Sequence, residues 1–127
     1  MTAPKVLISD KMDPKAAEIF RERGIDVDVI TGKTKEELIA MIGDYDGLAI
    51  RSSTKVTADV LAAATNLKVV GRAGIGVDNV DIPEASKKGV IVMNTPFGNS
   101  ITTAEHAIAM MFALARQIPE ADLSTQA

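Results

Sequence analysis

The residues with the clearest chemical potential follow a short apolar run at positions 67–70. Arg72 lies among three glycines, Gly71, Gly74 and Gly76. Glycine tolerates positive φ and lets a ligand approach the backbone amides, while arginine offers a planar set of donors that suits carboxylate or phosphate. At the end of a strand, this combination predicts a binding site for a small anion.

A dinucleotide-binding loop is the obvious alternative for such a glycine run. That motif needs Gly-x-Gly-x-x-Gly leading into a helix, whereas the spacing here is Gly-x-x-Gly-x-Gly and the position of the third glycine holds Asn79. These glycines therefore do not form the main nucleotide-binding loop. The glycines alone would also fit a tight loop without a ligand, and Arg72 is what favours a functional site.

Composition narrows the classes of function. The 127 residues suffice for one domain at most, and the net charge of −3 lacks the basic excess expected of a nucleic-acid-binding protein. Without cysteine the chain has no disulfide, no cysteine-ligated zinc and no thiol catalysis, which is compatible with the reducing cytosol. The longest apolar run, at residues 107–115, is too short to cross a membrane. We therefore expect a soluble, cytoplasmic protein without a nucleic-acid or membrane partner.

Short β-branched runs alternate with segments of helical length. The predicted strands are residues 6–9, 25–30, 47–50, 67–70 and 90–93, and the predicted helices are residues 14–23, 35–42, 58–64, 82–88 and 100–117. Asp13, Thr34 and Thr57 are the predicted N-caps, with Thr34 and Glu37 forming a capping box. Strands separated by helices need crossover connections, so we predict an α/β fold with a mostly parallel five-stranded sheet and helices on both faces.

Ligands of such sheets bind beyond the carboxyl ends of the strands. The third strand is followed by Arg51 and Ser52, the fourth by Arg72 and the glycines, and the fifth by Asn94. One exposed arginine is more often solvated or paired with a surface carboxylate. Two arginines at the ends of successive strands favour a shared anion pocket.

The last predicted helix is apolar all round from residue 107 to residue 115, so it must be covered by another subunit or by chain that follows residue 127. Ile118 and Pro119 interrupt the pattern, and we expect no new element in residues 120–127. These features predict the front portion of a longer protein.

His106 is the only histidine, and no paired nucleophile accompanies it. We expect a helix or interface role for it rather than a catalytic one, with Thr102 and Glu105 as a capping box nearby. One histidine and scattered carboxylates have none of the usual metal-ligand spacings. The sequence therefore predicts no catalytic residue and no metal ligand in this chain.

Five segments resemble the D-isomer-specific 2-hydroxyacid dehydrogenase family, in register over nearly the whole chain. They are residues 5–10 (KVLISD), 50–57 (IRSSTKVT), 69–81 (VVGRAGIGVDNVD), 92–100 (VMNTPFGNS) and 114–119 (LARQIP). Segment 69–81 is typical of the family as a whole. Segments 50–57 and 92–100 are similar to the branch that acts on 3-phospho-D-glycerate.

The resemblance implies an NAD-dependent enzyme that oxidises 3-phospho-D-glycerate to 3-phosphohydroxypyruvate in serine biosynthesis. It implies a flavodoxin-like substrate domain with an inserted Rossmann domain. Residues 1–98 would be the first part of the substrate domain, and residues 99–127 would be the first helix and start of the NAD-binding domain. The helix at residues 100–117 would lie at the interface of a homodimer or tetramer.

The same resemblance implies roles for individual residues. Position by position, it indicates substrate contacts at Arg51, Ser52, Arg72 and Asn99, a carboxylate-holding loop of amides at Gly74, Ile75 and Gly76, and cofactor contacts at Ile75 and Thr103. Some relatives carry a hydroxyl residue at position 75, so the contact of Ile75 would be made by its backbone. The catalytic Arg, Glu and His of the family and its main NAD-binding loop lie later in sequence, so we expect this chain alone to be inactive.

Two other functions remain open at this point. One is a family member that acts on glyoxylate or hydroxypyruvate. The other is a flavodoxin-like module that binds an anion or a partner protein without performing a reaction.

Overall fold

The computed structural model describes residues 2–127, which form two compact units. The first unit reaches to Thr95 and the second is Pro96–Ala127. In the first unit the strands are β1 (Lys5–Ile8), β2 (Asp26–Val29), β3 (Gly47–Ile50), β4 (Val69–Arg72) and β5 (Ile91–Met93). Its helices are α1 (Lys15–Glu22), α2 (Lys35–Met41), α3 (Ala58–Ala63) and α4 (Ile82–Lys87).

All neighbouring strands of the sheet are parallel, in the order β2-β1-β3-β4-β5. This is the flavodoxin-like order, and it confirms the α/β fold predicted from the alternation of strands and helices. Helix α3 contacts both α2 and α4 on one face of the sheet. Because the chain turns the other way between β1 and β2, a right-handed crossover puts α1 on the opposite face.

The core lies between the sheet and helices α2, α3 and α4. Strands β1 and β3 are mostly buried, which fits their near-continuous apolar sequences, whereas in β4 only Val70 is buried. Fully buried side chains of the strands pack against those of the helices; they include Leu7, Leu48, Ile50, Val70, Val60, Leu61 and Ala85. Strand β2 is an edge strand, and its Asp28 accepts hydrogen bonds from Tyr45 Oη and Lys5 Nζ, both at 2.8 Å.

The predicted helix caps have different outcomes. Thr34 and Glu37 form the predicted capping box, in which Glu37 N donates to Thr34 Oγ1 at 3.3 Å and Thr34 N donates to Glu37 Oε2 at 2.9 Å. Asp13 Oδ1 accepts from Lys15 N at 2.9 Å, so it does cap the first turn of α1. Thr57 occupies the N-cap position of α3, but its buried hydroxyl has no hydrogen-bond partner within residues 2–127, so the predicted side-chain cap there is wrong.

The second unit contains α5 (Ser100–Ala115) and α6 (Ile118–Gln126). The expectation that residues 120–127 form no element is wrong, because proline is tolerated in a first helical turn and Pro119 therefore starts α6 instead of ending the structure. The capping box at Thr102 is also wrong, since α5 begins at Ser100 and Thr102 lies inside it. Within residues 2–127, no helix has the length and apolar character needed to cross a membrane.

Helix α5 leaves several large apolar side chains exposed, among them Ile101, Met111, Phe112 and Leu114. Its sequence therefore lacks the polar face that a solvated helix would have. That another subunit or a later segment of the chain covers α5 stays a prediction. The assignment of residues 1–98 and 99–127 to a substrate domain and a cofactor domain also stays a prediction.

The two threonine N-caps make a matched stability test. We expect Thr34→Val to lower the free energy of unfolding by about 1 kcal/mol, because it removes a capping hydrogen bond. Thr57→Val should leave stability unchanged or raise it, because it removes a buried hydroxyl that has no partner. Urea unfolding followed by circular dichroism measures both, and an equal loss in the two variants would contradict the assignment.

Candidate functional site

The carboxyl ends of β1, β3 and β4 lie side by side at one edge of the sheet. The chain leaves β1 towards β2 and leaves β3 towards β4, so the order of strands reverses between β1 and β3. Such a reversal opens a crevice between the diverging connections, and ligands of doubly wound sheets bind there. Asp10 follows β1 at this point and Arg51 follows β3, while Arg72 ends β4.

Asp10 organises the loop after β3. Its carboxylate accepts hydrogen bonds from Arg51 N at 2.7 Å, from Thr54 N at 3.0 Å and from Thr54 Oγ1 at 2.6 Å. Ser9 Oγ lies 2.8 Å from Thr54 Oγ1 and extends the network. Asp10 is only 4% exposed. Asp10 was not among the predicted site residues, although a carboxylate directly after a buried strand is a signal that the sequence contains.

Asn79 joins this loop to the loop after β4. Its Nδ2 donates to Arg51 O at 2.8 Å and to Thr54 O at 2.7 Å. A parallel bridge between Val56 and Val80 adds two backbone hydrogen bonds, from Val56 N to Asn79 O and from Asp81 N to Val56 O. In the sequence, Asn79 was notable only as the residue that breaks a dinucleotide motif, and its structural role was not predicted.

Arg72 folds over the glycine loop that follows it. Its Nη1 donates to Asp78 Oδ1 at 2.9 Å and also to Gly76 O. The side chain is 13% exposed, whereas that of Asp78 is 87% exposed. Arg72 Nε is buried and has no hydrogen-bond partner within residues 2–127. The guanidinium therefore holds one unsatisfied donor inside the loop.

Arg72 packs against the backbone at positions 74 and 76, and only at Gly76 would a Cβ be too close to its neighbours. A Cβ at Gly76 would lie 2.9 Å from Asp78 Oδ1 and 3.0 Å from Arg72 Nη1, and one at Gly74 would lie 3.4 Å from Arg72 Nε. Neither glycine has positive φ. The close approach of Asp78 and Arg72, and not a positive φ, therefore accounts for glycine at position 76.

The same loop presents backbone amides. Gly74 N donates to Arg72 O at 3.0 Å, while the amides of Ile75 and Gly76 have no acceptor within the part of the chain that the structure describes. Two contacts from the end of β5 hold the loop, since Asn94 Nδ2 donates to Ile75 O at 2.7 Å and Thr95 N donates to Gly74 O at 2.9 Å. Two consecutive free amides beside a guanidinium can bind a carboxylate.

The two arginines of the predicted pocket have different partners. The last residue pair between β3 and β4 is Ile50 with Arg72, and Arg51 lies one residue beyond it. Arg51 Nη1 donates to Lys11 O at 3.2 Å, in the loop after β1, whereas Arg72 contacts its own loop. Ser52 is exposed beside Arg51. A single ligand held by both guanidinium groups stays a prediction.

The remaining predicted residues belong to the second unit. Asn99 is the N-cap of α5, without a side-chain capping bond, and Thr103 lies in the first turn, where its amide donates to Asn99 O at 2.9 Å. Both residues are exposed in this chain. Their contacts to substrate and cofactor stay predictions. His106 is also exposed on α5.

An open cavity of about 320 Å³ adjoins the glycine loop on the first unit. Apolar side chains from β5 and α1, including Met93 and Phe20, form much of its lining, and Arg72, Asn94 and Thr95 supply the polar part. Ligand sites commonly combine an apolar surface with a few polar groups in this way. Arg51 does not line this cavity.

Both carboxylates of the site favour the ionised form. Burial raises the pKa of Asp10, but hydrogen bonds from the Thr54 hydroxyl and from the amides of Thr54, Arg51 and Ser53 outweigh it, so the pKa lies below its ordinary value. The pKa of Asp78 is lowered by its own backbone amide and then by Arg72. Within residues 2–127, no three His, Asp or Glu side chains are grouped closely enough to hold a metal ion.

A sequence model of the D-isomer-specific 2-hydroxyacid dehydrogenase catalytic domain matches residues 6–125. The chain belongs to this family. The resemblance seen in the sequence is thereby confirmed, and the flavodoxin-like sheet with its edge of polar strand ends is the fold of a 2-hydroxyacid dehydrogenase.

Relatives within this family include D-3-phosphoglycerate dehydrogenases. The chain is 50% identical to that of Archaeoglobus fulgidus over 96% of its own length and 55% identical to that of Homo sapiens over 94%. It spans 23% and 22% of these relatives, just under a quarter of their length. A solved structure of NAD+-bound 3-phosphoglycerate dehydrogenase from Entamoeba histolytica is similar, with a TM-score of 0.78 and 33% identity over 87% of this chain and 39% of that one.

The ion pair of Arg72 can be tested at the glycine loop. Gly76→Ala should push Asp78 away from Arg72 and raise the pKa of Asp78 towards its ordinary value, because the guanidinium no longer stabilises the carboxylate. Gly71→Ala is the control, since a Cβ there meets nothing within 4 Å. Carboxyl NMR shifts followed against pH measure both variants. An Asp78 titration that is the same in the two variants would show that Gly76 is not needed for the pair.

Because the pKa of Asp10 is lowered by folding, we expect the free energy of unfolding to depend on pH in the acid range. Its pKa is lower in the folded chain than in the unfolded one, so its contribution is present above about pH 4, the unfolded value, and is lost as pH falls through the folded value. The difference in unfolding free energy between the parent and Asp10→Asn should therefore shrink below about pH 4. Urea unfolding at several pH values measures it, with the non-titratable core variant Val60→Ala as control. A constant difference would contradict the assignment.

Proposed function

We propose that this chain is the N-terminal part of an NAD-dependent D-3-phosphoglycerate dehydrogenase, which oxidises 3-phospho-D-glycerate to 3-phosphohydroxypyruvate in serine biosynthesis. The observation that carries the proposal is the loop after β4, where the Arg72 guanidinium lies beside the free amides of Ile75 and Gly76. The names of the relatives support the choice of substrate within the family.

The task of this chain is to bind and orient a doubly anionic substrate. The amides of Ile75 and Gly76 receive the carboxylate, and the Arg72 guanidinium adds a charge-assisted hydrogen bond. Because Asp78 is largely exposed, water screens its ion pair with Arg72, so a substrate anion can replace Asp78 at low cost. Arg51 supplies a second cation from the neighbouring strand, and Ser52 and Asn99 add polar contacts.

NAD supplies the acceptor for the hydride when it is bound. This chain fits only a small part of that cofactor, because the residues between Arg72 and α4 form bends and turns rather than leading directly into a helix. Its contribution is the backbone of Ile75 and the hydroxyl of Thr103 in the first turn of α5. Removing the hydroxyl proton of the substrate needs a general base, which we assign to residues outside this chain.

The exposed apolar residues of α5 are the proposed contact with a second subunit in a homodimer or tetramer. Covering these side chains removes apolar area from water, which favours association. The cytoplasmic location predicted from the sequence belongs to this proposal as well.

Activity can be tested in a chimera that joins residues 1–127 to the remainder of the Archaeoglobus fulgidus relative. We expect NADH formation with 3-phospho-D-glycerate and NAD+, measured by absorbance, and none from residues 1–127 alone. D-glycerate should be a much poorer substrate, because without the phosphate the second cation, Arg51, has no anion to bind. Faster turnover with glyoxylate or hydroxypyruvate would favour another member of the family. An inactive but folded chimera would favour a binding module.

The role of Arg72 has its own prediction. Arg72→Ala in the chimera should raise the KM for 3-phospho-D-glycerate by about tenfold to a hundredfold, because a charged hydrogen-bond partner is lost. Arg21→Ala removes an exposed arginine from the last turn of α1 and is the matched control. Steady-state kinetics measure both variants, and an unchanged KM in Arg72→Ala would mean that this arginine only shapes the loop.

A further inference from the structure

The carboxylate of Asp10 lies at the point where the strand order reverses, and it connects β1 to the loop that carries Arg51. Three donors from two residues, Arg51 N, Thr54 N and Thr54 Oγ1, converge on its two oxygens at 2.6–3.1 Å. Asp10 is 4% exposed, so these bonds form away from bulk water. Among residues 2–95, no other carboxylate accepts hydrogen bonds from so many donors.

This arrangement restricts the backbone from Arg51 to Thr54. A buried carboxylate is costly unless it is hydrogen-bonded, and the amides of Arg51 and Thr54 would be left without acceptors if the loop moved away. Asn79 holds the same loop from the other side, through Arg51 O and Thr54 O. The peptide groups on both sides of the Arg51 Cα are therefore fixed, which defines the direction in which its side chain leaves the loop.

We propose that Asp10 is a positioning residue, which aims Arg51 at the phosphorylated substrate by fixing the backbone of the loop after β3. This inference rests on the proposed function, in which Arg51 contacts the substrate. Asp10 does not touch the substrate itself, because its oxygens are already occupied by donors from the loop. It also does not accept the substrate proton, since the same donors stabilise its ionised form.

The role predicts a particular effect on kinetics. If Arg51 loses its fixed direction, the binding of the phosphorylated substrate weakens, while the groups that perform the reaction lie elsewhere. Asp10→Asn in the chimera should therefore raise the KM for 3-phospho-D-glycerate by roughly tenfold, with kcat and the KM for NAD+ nearly unchanged.

A double-mutant cycle with Arg51→Ala separates positioning from a general loss of structure. Residues that act as one unit have non-additive effects. Adding Asp10→Asn to Arg51→Ala should therefore raise KM little beyond the effect of Arg51→Ala alone. Asp28→Asn is the control, because Asp28 is also a hydrogen-bonded carboxylate but lies on the edge strand β2 and bonds to Tyr45 and Lys5. It should leave KM unchanged.

The threonine partner gives a milder version of the same test if Asp10→Asn does not fold. Thr54→Val removes only the hydroxyl bonds to Asp10 and Ser9, and should raise KM by a smaller factor, whereas Thr54→Ser retains a hydroxyl and should restore the parent value.

The outcomes distinguish this inference from the proposed function. A chimera without activity on 3-phospho-D-glycerate would overturn the proposed function. An active chimera in which Arg51→Ala raises KM, but Asp10→Asn or Thr54→Val does not, would overturn only the positioning role. Additive effects of Asp10→Asn and Arg51→Ala, or an equal rise in KM with Asp28→Asn, would also overturn it, and so would an unchanged KM in Arg51→Ala.

Discussion

In a parallel sheet every strand finishes at the same edge, and the rest of this structure depends on that constraint. Three neighbouring strands deliver Asp10, Arg51 and Arg72 to one edge although these residues are far apart in sequence. The order of strands reverses between β1 and β3, so the connections diverge there and leave the crevice open. The chemistry of the site follows from what the chain places directly after each strand.

The two loops of this edge are held by different kinds of contact. The loop after β3 is fixed by a buried carboxylate and by the Asn79 amide, which together satisfy its backbone groups. The loop after β4 is held more loosely, by an arginine that packs on two glycines and pairs with an exposed aspartate. The first arrangement keeps one geometry, whereas the second has donors that a ligand anion can occupy. The loop after β3 is therefore rigid, while the loop after β4 can exchange the Asp78 contact for a ligand.

The family of the chain and the exposed apolar side chains of α5 both lead us to expect that further protein surrounds these residues. A helix whose exposed side chains include Ile101, Met111 and Phe112 needs another surface to cover it. The chain spans less than a quarter of the D-3-phosphoglycerate dehydrogenases of Archaeoglobus fulgidus and Homo sapiens. The groups that complete a hydroxyacid dehydrogenase site, and the surface that covers α5, are therefore proposed to come from outside these residues.

The sequence by itself determined the elements of the fold, because periodicity, caps and stop signals act over a few residues. The boundaries of β3 were predicted to the residue, and the Thr34 capping box was correct. Arg51, Arg72 and the glycine loop were placed at one edge because parallel pairing follows from the alternation of strands and helices, whereas the order of the strands came from the structure. The errors were also local. Thr57 has the right residue type for a cap but its hydroxyl is buried without a partner, and Pro119 begins a helix rather than ending one.

Only the tertiary structure decided which groups contact one another across that edge. Asp10 and Thr54 are separated by 44 positions, and no local pattern predicts that their side chains meet. The direction of Arg51 towards Lys11, and of Arg72 over Gly74 and Gly76, depends on packing between loops. Secondary structure is specified by neighbours in the chain, whereas the partners of a buried carboxylate or a folded-over guanidinium are specified by neighbours in space.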